Sequence, residues 1–146
     1  MIRHLFVFVG MVFAAASVSA CSFPVTSLEH QVGNADDIFI ANLIEAKVVP
    51  IDERHKWKSI EGRFQVRKIL KGGEQPKEII LTTGFGRSDC GVGMMVSWNY
   101  VIFKGRKDTG IGVASGTHII EDFQAEELAE KILSIAHHRP SNSLQN

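Results

Sequence analysis

Two cysteines, Cys21 and Cys90, are the residues whose types and placing could do the most chemistry in this chain. Cys21 sits in Val18-Ser19-Ala20-Cys21-Ser22-Phe23, directly after small residues of the kind that precede a signal-peptidase cut. Three fates follow for it: a free N-terminal residue, a lipid-bearing thioether, or half of a disulfide with Cys90. As a nucleophile, Cys90 would need a neighbouring base and a reducing compartment, and export removes the second. The histidines add little. His30, His55 and His118 stand singly, and His137-His138 sit near a predicted helix end, where adjacent side chains point about 100° apart. A metal there would need ligands from elsewhere. Neither the H-E-x-x-H nor the G-x-S-x-G pattern occurs. The expectation is therefore no catalytic residue, no metal, no cofactor and no enzyme.

Other patterns yield to plainer readings. Gly84-x-Gly86 and Gly91-x-Gly93 invite a phosphate loop, but no Gly-Lys-Ser/Thr follows them, so turns around a cysteine suffice. Asp36-Asp37 reads as the start of a strand rather than a working carboxylate pair. Arg54, Lys56, Lys58, Arg63, Arg67, Lys68 and Lys71 form a basic run, interleaved with Glu53, Glu61 and Glu74. That is a solvated strand face. The whole chain carries 16 Lys and Arg against 16 Asp and Glu, a balance that argues against a nucleic-acid partner.

The elements that must position the cysteines read as follows. Residues 1–20 have a basic start at Arg3, an apolar run from Leu5 to Ala16 and a small-residue end, the three parts of a secretory signal. The apolar run is short of the roughly 20 residues that span a bilayer. A secreted or periplasmic domain over 21–139 is expected, with a loose tail at 140–146. Val-Ser-Ala-Cys also suits a lipobox, which would make the chain an envelope lipoprotein anchored at Cys21, and a membrane enters only on that route. With two cysteines in an oxidising compartment, one disulfide is the default, and closing a loop of about 70 residues is worth roughly 4 kcal/mol.

Within the domain, Thr26-Ser27-Leu28-Glu29 has capping-box spacing and predicts a short helix stopped at Gly33-Asn34. A strand is predicted over 38–49, ended by Pro50, and another over 57–70 with a bulge near Glu61-Gly62. A third covers 78–83, a fourth 98–103 and a short fifth 111–114. From Glu121 the period becomes helical, with Leu128, Ile132 and Ile135 on one face and Pro140 as the stop. Five strands with helices at the ends suit a small barrel or sandwich.

In this order the pieces resemble the netrin-like domain, the inhibitory domain of the tissue inhibitors of metalloproteinases (TIMPs), in a bacterial exported form. The carrying residues are Cys21-Ser22 after the signal, Asn34-Ala35-Asp36 running into Ile38-Phe39-Ile40, the strand ending at Lys71-Gly72, and Asp89-Cys90-Gly91 before Tyr100-Val101-Ile102-Phe103. The likeness covers roughly 21–116. The chain departs from the family at Phe23 and Gly33, where further cysteines are expected, and lacks their late partner near Ala114-Ser115. Whole pairs are missing, which leaves the pair matching the first family disulfide, Cys21 with Cys90. The resemblance implies a mainly β fold, a five-stranded OB-fold-like barrel with a short N-terminal helix and a C-terminal helix packed on it. It also implies an extracellular or periplasmic protein-interaction module whose partner is a protein, a metalloprotease in the inhibitory case. There Cys21 would chelate the protease zinc through its amine and carbonyl, Ser22 would face the substrate pocket, and Cys90 would clamp the N-terminus.

Overall fold

The computed structural model describes residues 26–51, 57–85 and 90–138. The expected signal peptide, Cys21, Ser22 and the tail 140–146 lie outside the described residues, as do His55 and Asp89. The elements run α1 (Leu28–Asn34), β1 (Asp37–Pro50), β2 (Lys58–Lys71), β3 (Glu78–Thr83), β4 (Asn99–Lys104), a 3₁₀ turn (Val113–Ser115), β5 (His118–Ile120) and α2 (Asp122–His138). The five strands form one sheet in the order β3-β2-β1-β4-β5, every neighbouring pair antiparallel. The sheet is not closed. Its edges are β3 and β5, and an isolated parallel bridge joins Thr82 of β3 to Gly110, ahead of β5.

The central strands are apolar on both faces. Ile38 and Ile40 of β1, with Val101 and Phe103 of β4, face a core completed by Val32 of α1 and Ala129 and Ile132 of α2. Phe39, Ala41 and Leu43 point the other way, joining Phe64, Leu81, Tyr100, Ile102, Val92 and Ile111. One face is thus covered by helices and the other by loops. Strand alternation sorts the residues between the two. In α2 the predicted face holds: Ile132 is buried, and Leu128 and Ile135 pack against the same core.

Three sequence expectations change in detail. The fifth strand is not at 111–114. Gly112, and Gly116 with φ 94°, flank a 3₁₀ turn there, tightened by Ser115 Oγ donating to the Gly112 carbonyl at 2.7 Å, and β5 forms later at His118–Ile120. The bulge expected at Glu61-Gly62 lies across the ladder instead: the β1–β2 register slips between Leu43 and Glu45, and again at Ile38/Phe39 and Ile40/Ala41. Those slips re-phase β2, so Leu70 is buried and its neighbour Ile69 is exposed. The cap of α1 is Ser27 rather than Thr26, its Oγ accepting from His30 N at 3.3 Å, and the helix runs through Gly33 to Asn34.

Polar anchors hold the layers together. Lys71 Nζ donates to the Val32 and Ala35 carbonyls at 2.7 and 2.6 Å, capping the C-terminus of α1 from β2. Asp37 and Lys104 form a buried ion pair at 3.4 Å across β1 and β4, and Lys104 Nζ also donates to the Gly105 and Arg106 carbonyls. Gly72 approaches so closely that a Cβ would overlap the Asp37 carboxylate. Among the described residues, no helix is long and apolar enough to cross a membrane.

Candidate functional site

Cys90 is the expected site residue that the structure describes. It leads out of the glycine-rich loop between β3 and β4, and its backbone is left-handed, with φ 58°. Few non-glycine residues adopt that conformation, at a cost of about 1 kcal/mol or more, so the surroundings must impose it. Three contacts do so. A Cβ on Gly91 would overlap the Gly84 carbonyl, so the loop is pinched at its base where only glycine fits. Val92 N donates to Thr83 Oγ1 at 2.8 Å, with both residues buried. On the other side the Cys90 carbonyl accepts from Val113 N at 3.1 Å, locking the loop to the 3₁₀ turn.

Tyr100 extends this support. Its ring meets Phe64 edge to face at 5.4 Å, while its hydroxyl donates to the Gly93 carbonyl at 2.8 Å and accepts from Met95 N at 2.7 Å. Burial pushes the Tyr100 phenol above its ordinary range, only partly offset by the hydrogen bond to the Met95 backbone. Beside this braced segment Phe85 and Val113 are about half exposed, as are Met95 and Val96 further on. The result is a stiff, apolar-edged ridge carrying Cys90 at its centre. No free cysteine occurs among the described residues.

Sequence reasoning missed most of this bracing. Gly84, Gly91 and Gly93 read as turns, whereas the Gly84–Gly91 approach is the pinch itself. Thr83, Val113 and Tyr100 read as strand residues with no hint of a bracing role, because each acts through a contact outside its own strand.

The remaining predicted residues are not gathered into a site. His30 lies on α1 with Asn34 Nδ2 at 3.1 Å, His118 opens β5 against the Gly116 carbonyl, and His138 ends α2 beside the Ser134 carbonyl. No group of three or more His, Cys, Asp or Glu able to hold a metal occurs among the described residues. Of the basic run, Arg63 bridges Glu45 and Glu78 at 2.7 and 3.1 Å, and Lys68 pairs with Glu126 at 2.9 Å. Glu61 takes Lys47 at 2.8 Å. The Glu45 and Glu78 carboxylates hold Arg63 above its usual range, and Glu61 does the same for Lys47. Lys47, Arg63 and Lys68 thus spend their charge in exposed ion pairs. Asp36 takes the Arg106 N–H at 3.0 Å, so both aspartates of Asp36-Asp37 serve the start of the sheet.

Compared with protein-family models and with curated proteins, the chain matches none.

Proposed function

We propose that this chain is an exported, non-enzymatic domain of netrin-like, TIMP-like type that acts by protein contact. In this reading Cys21 is joined to Cys90, and the sheet curls toward an OB-type barrel along the Thr82–Gly110 bridge. The observation that carries it is the bracing of Cys90: a left-handed residue fixed from Thr83, Gly84 and Val113 is a rigid post for a second segment. A disulfide to such a post would hold Cys21 and Ser22 beside the exposed Phe85 and Val113, making one continuous contact edge.

The specific form of that activity is inhibition of a zinc metalloprotease. A neutral α-amine and carbonyl at Cys21 are competent zinc ligands that would displace the catalytic water, with Ser22 directed at the substrate pocket. The test is inhibition of a panel of zinc metalloproteases by the protein beginning at Cys21, compared with a form carrying one alanine before it. Inhibition that the added residue abolishes is the expected result. Inhibition that survives the addition would contradict chelation by Cys21, and no inhibition across the panel would remove the protease from the proposal.

A further inference from the structure

Away from the Cys90 ridge, a groove of about 450 Å³ lies where β1, β2, β4 and the start of α2 meet, a volume usual for small-molecule sites. A chain of planar polar groups lines it. Asn42 Nδ2 donates to the Ser97 carbonyl and to Asn99 Oδ1, each at 3.1 Å, and Asn99 Nδ2 donates to Asp122 Oδ1. These bonds orient the side chains and leave Asn42 Oδ1, Asp122 Oδ2 and one Asn99 amide hydrogen facing no partner among the described residues. On the wall Lys68 is paired with Glu126, while Arg67 makes no ion pair among the described residues. A second hollow of about 390 Å³ shares Ser97, Asn99 and Asp122 and adds Trp98, which is 41% exposed.

The backbone between the two hollows is constrained as well. Ser97 has φ 72°, held there by donating to the Leu43 carbonyl at 2.7 Å while Leu43 N donates to the Trp98 carbonyl at 3.0 Å. Strain of this kind collects where a protein positions groups for a purpose.

The chemistry discriminates among ligands. Arg67 and Lys68 are balanced by Asp122 and Glu126, so an anion gains no net charge attraction here. An apolar molecule would bury the spare amide and carboxylate atoms unpaired, at the full cost of stripping them of water. A hydroxyl both donates and accepts, and so fits a surface of mixed donors and acceptors. An exposed indole offers the flat apolar face on which a sugar ring can rest.

We propose that this groove binds a neutral oligosaccharide. Asn42, Asn99, Asp122 and Arg67 hydrogen-bond its hydroxyls, and Trp98 stacks beneath one ring. The proposal does not depend on Cys21 or on protease inhibition. It is tested by probing an array of neutral hexose, N-acetylhexosamine and acidic oligosaccharides with the purified full protein, then titrating the hits at millimolar concentration by calorimetry. At least one neutral oligosaccharide should bind with little dependence on salt. Trp98→Ala and Arg67→Ala should each weaken it about tenfold, while Trp98→Phe retains most of the affinity. All three changes are at exposed side chains, and unchanged circular dichroism would confirm that the variants fold. Three results would overturn the proposal: no binding of any neutral glycan, binding of acidic glycans alone that salt abolishes, or binding indifferent to both alanine changes.

Discussion

At the scale of single residues, Tyr100 offers the sharpest test of how the Cys90 segment is braced. It is the only tyrosine of the chain, so its phenolate signal is unambiguous. Because burial raises its folded pKa above the unfolded value near 10, the folded state favours the neutral phenol. That preference contributes stability in full below the unfolded pKa and is lost as pH rises through the folded one. Ultraviolet titration should therefore place the phenol higher in the folded than in the unfolded protein, and thermal stability should fall with pH above about 10. Tyr100→Phe should remove that alkaline sensitivity and cost about 1–2 kcal/mol at neutral pH, by stranding Met95 N and the Gly93 carbonyl. A phenol titrating at its unfolded value would mean that the hydroxyl is not held in this environment. The residue scale is also where the sequence was least legible. A cysteine in a glycine-rich loop was visible. That Gly91 must lack a side chain to pass Gly84 was not, because the reason lies in a backbone contact across the loop. Asn42, Ser97, Asn99 and Asp122 gave no warning for the same cause: the groove exists only once separate segments are folded together.

At the scale of elements, periodicity located most of the secondary structure. The strand at Glu78–Thr83 coincides with its expected span, and the closing helix buries the face marked by Ile132. The strand at Lys58–Lys71 shows where periodicity runs out. Register slips against β1 turn Leu70 inward and Ile69 outward, and a two-residue rhythm cannot foresee a slip dictated by its neighbour. The short strand near Ile111 failed for a local reason, since Gly112, Ser115 and Gly116 together favour a tight turn over extended pairing. Lys71 carries a prediction at this scale. It read as part of a solvated basic face, yet its ammonium caps α1 by donating to two backbone carbonyls. Lys71→Met keeps the aliphatic stem and removes the donors, and should cost about 2 kcal/mol, with faster amide exchange in residues 28–34. Exchange and melting temperature like those of the unaltered protein would show that water replaces the cap without loss.

At the scale of the whole molecule, one sheet is covered by helices on one face and by loops on the other, with the braced Cys90 ridge at the loop side and the polar groove near the start of α2. The proposed function has Cys21 attach at Cys90, and it depends on that attachment more than on any other feature. A disulfide closing about 70 residues would add roughly 4 kcal/mol to stability through the unfolded chain, so reduction should lower the melting temperature without altering the sheet. A lipid at Cys21 would instead consume the thiol, and in the triacylated form the amine as well, leaving no disulfide and no clamped N-terminus. The decisive measurement is the intact mass of the exported protein before and after reduction, together with the mass of its N-terminal fragment. The account predicts a chain that begins at unmodified Cys21 and gains two hydrogens on reduction. A diacylated or triacylated Cys21 with Cys90 free would contradict it and make the protein a lipoprotein.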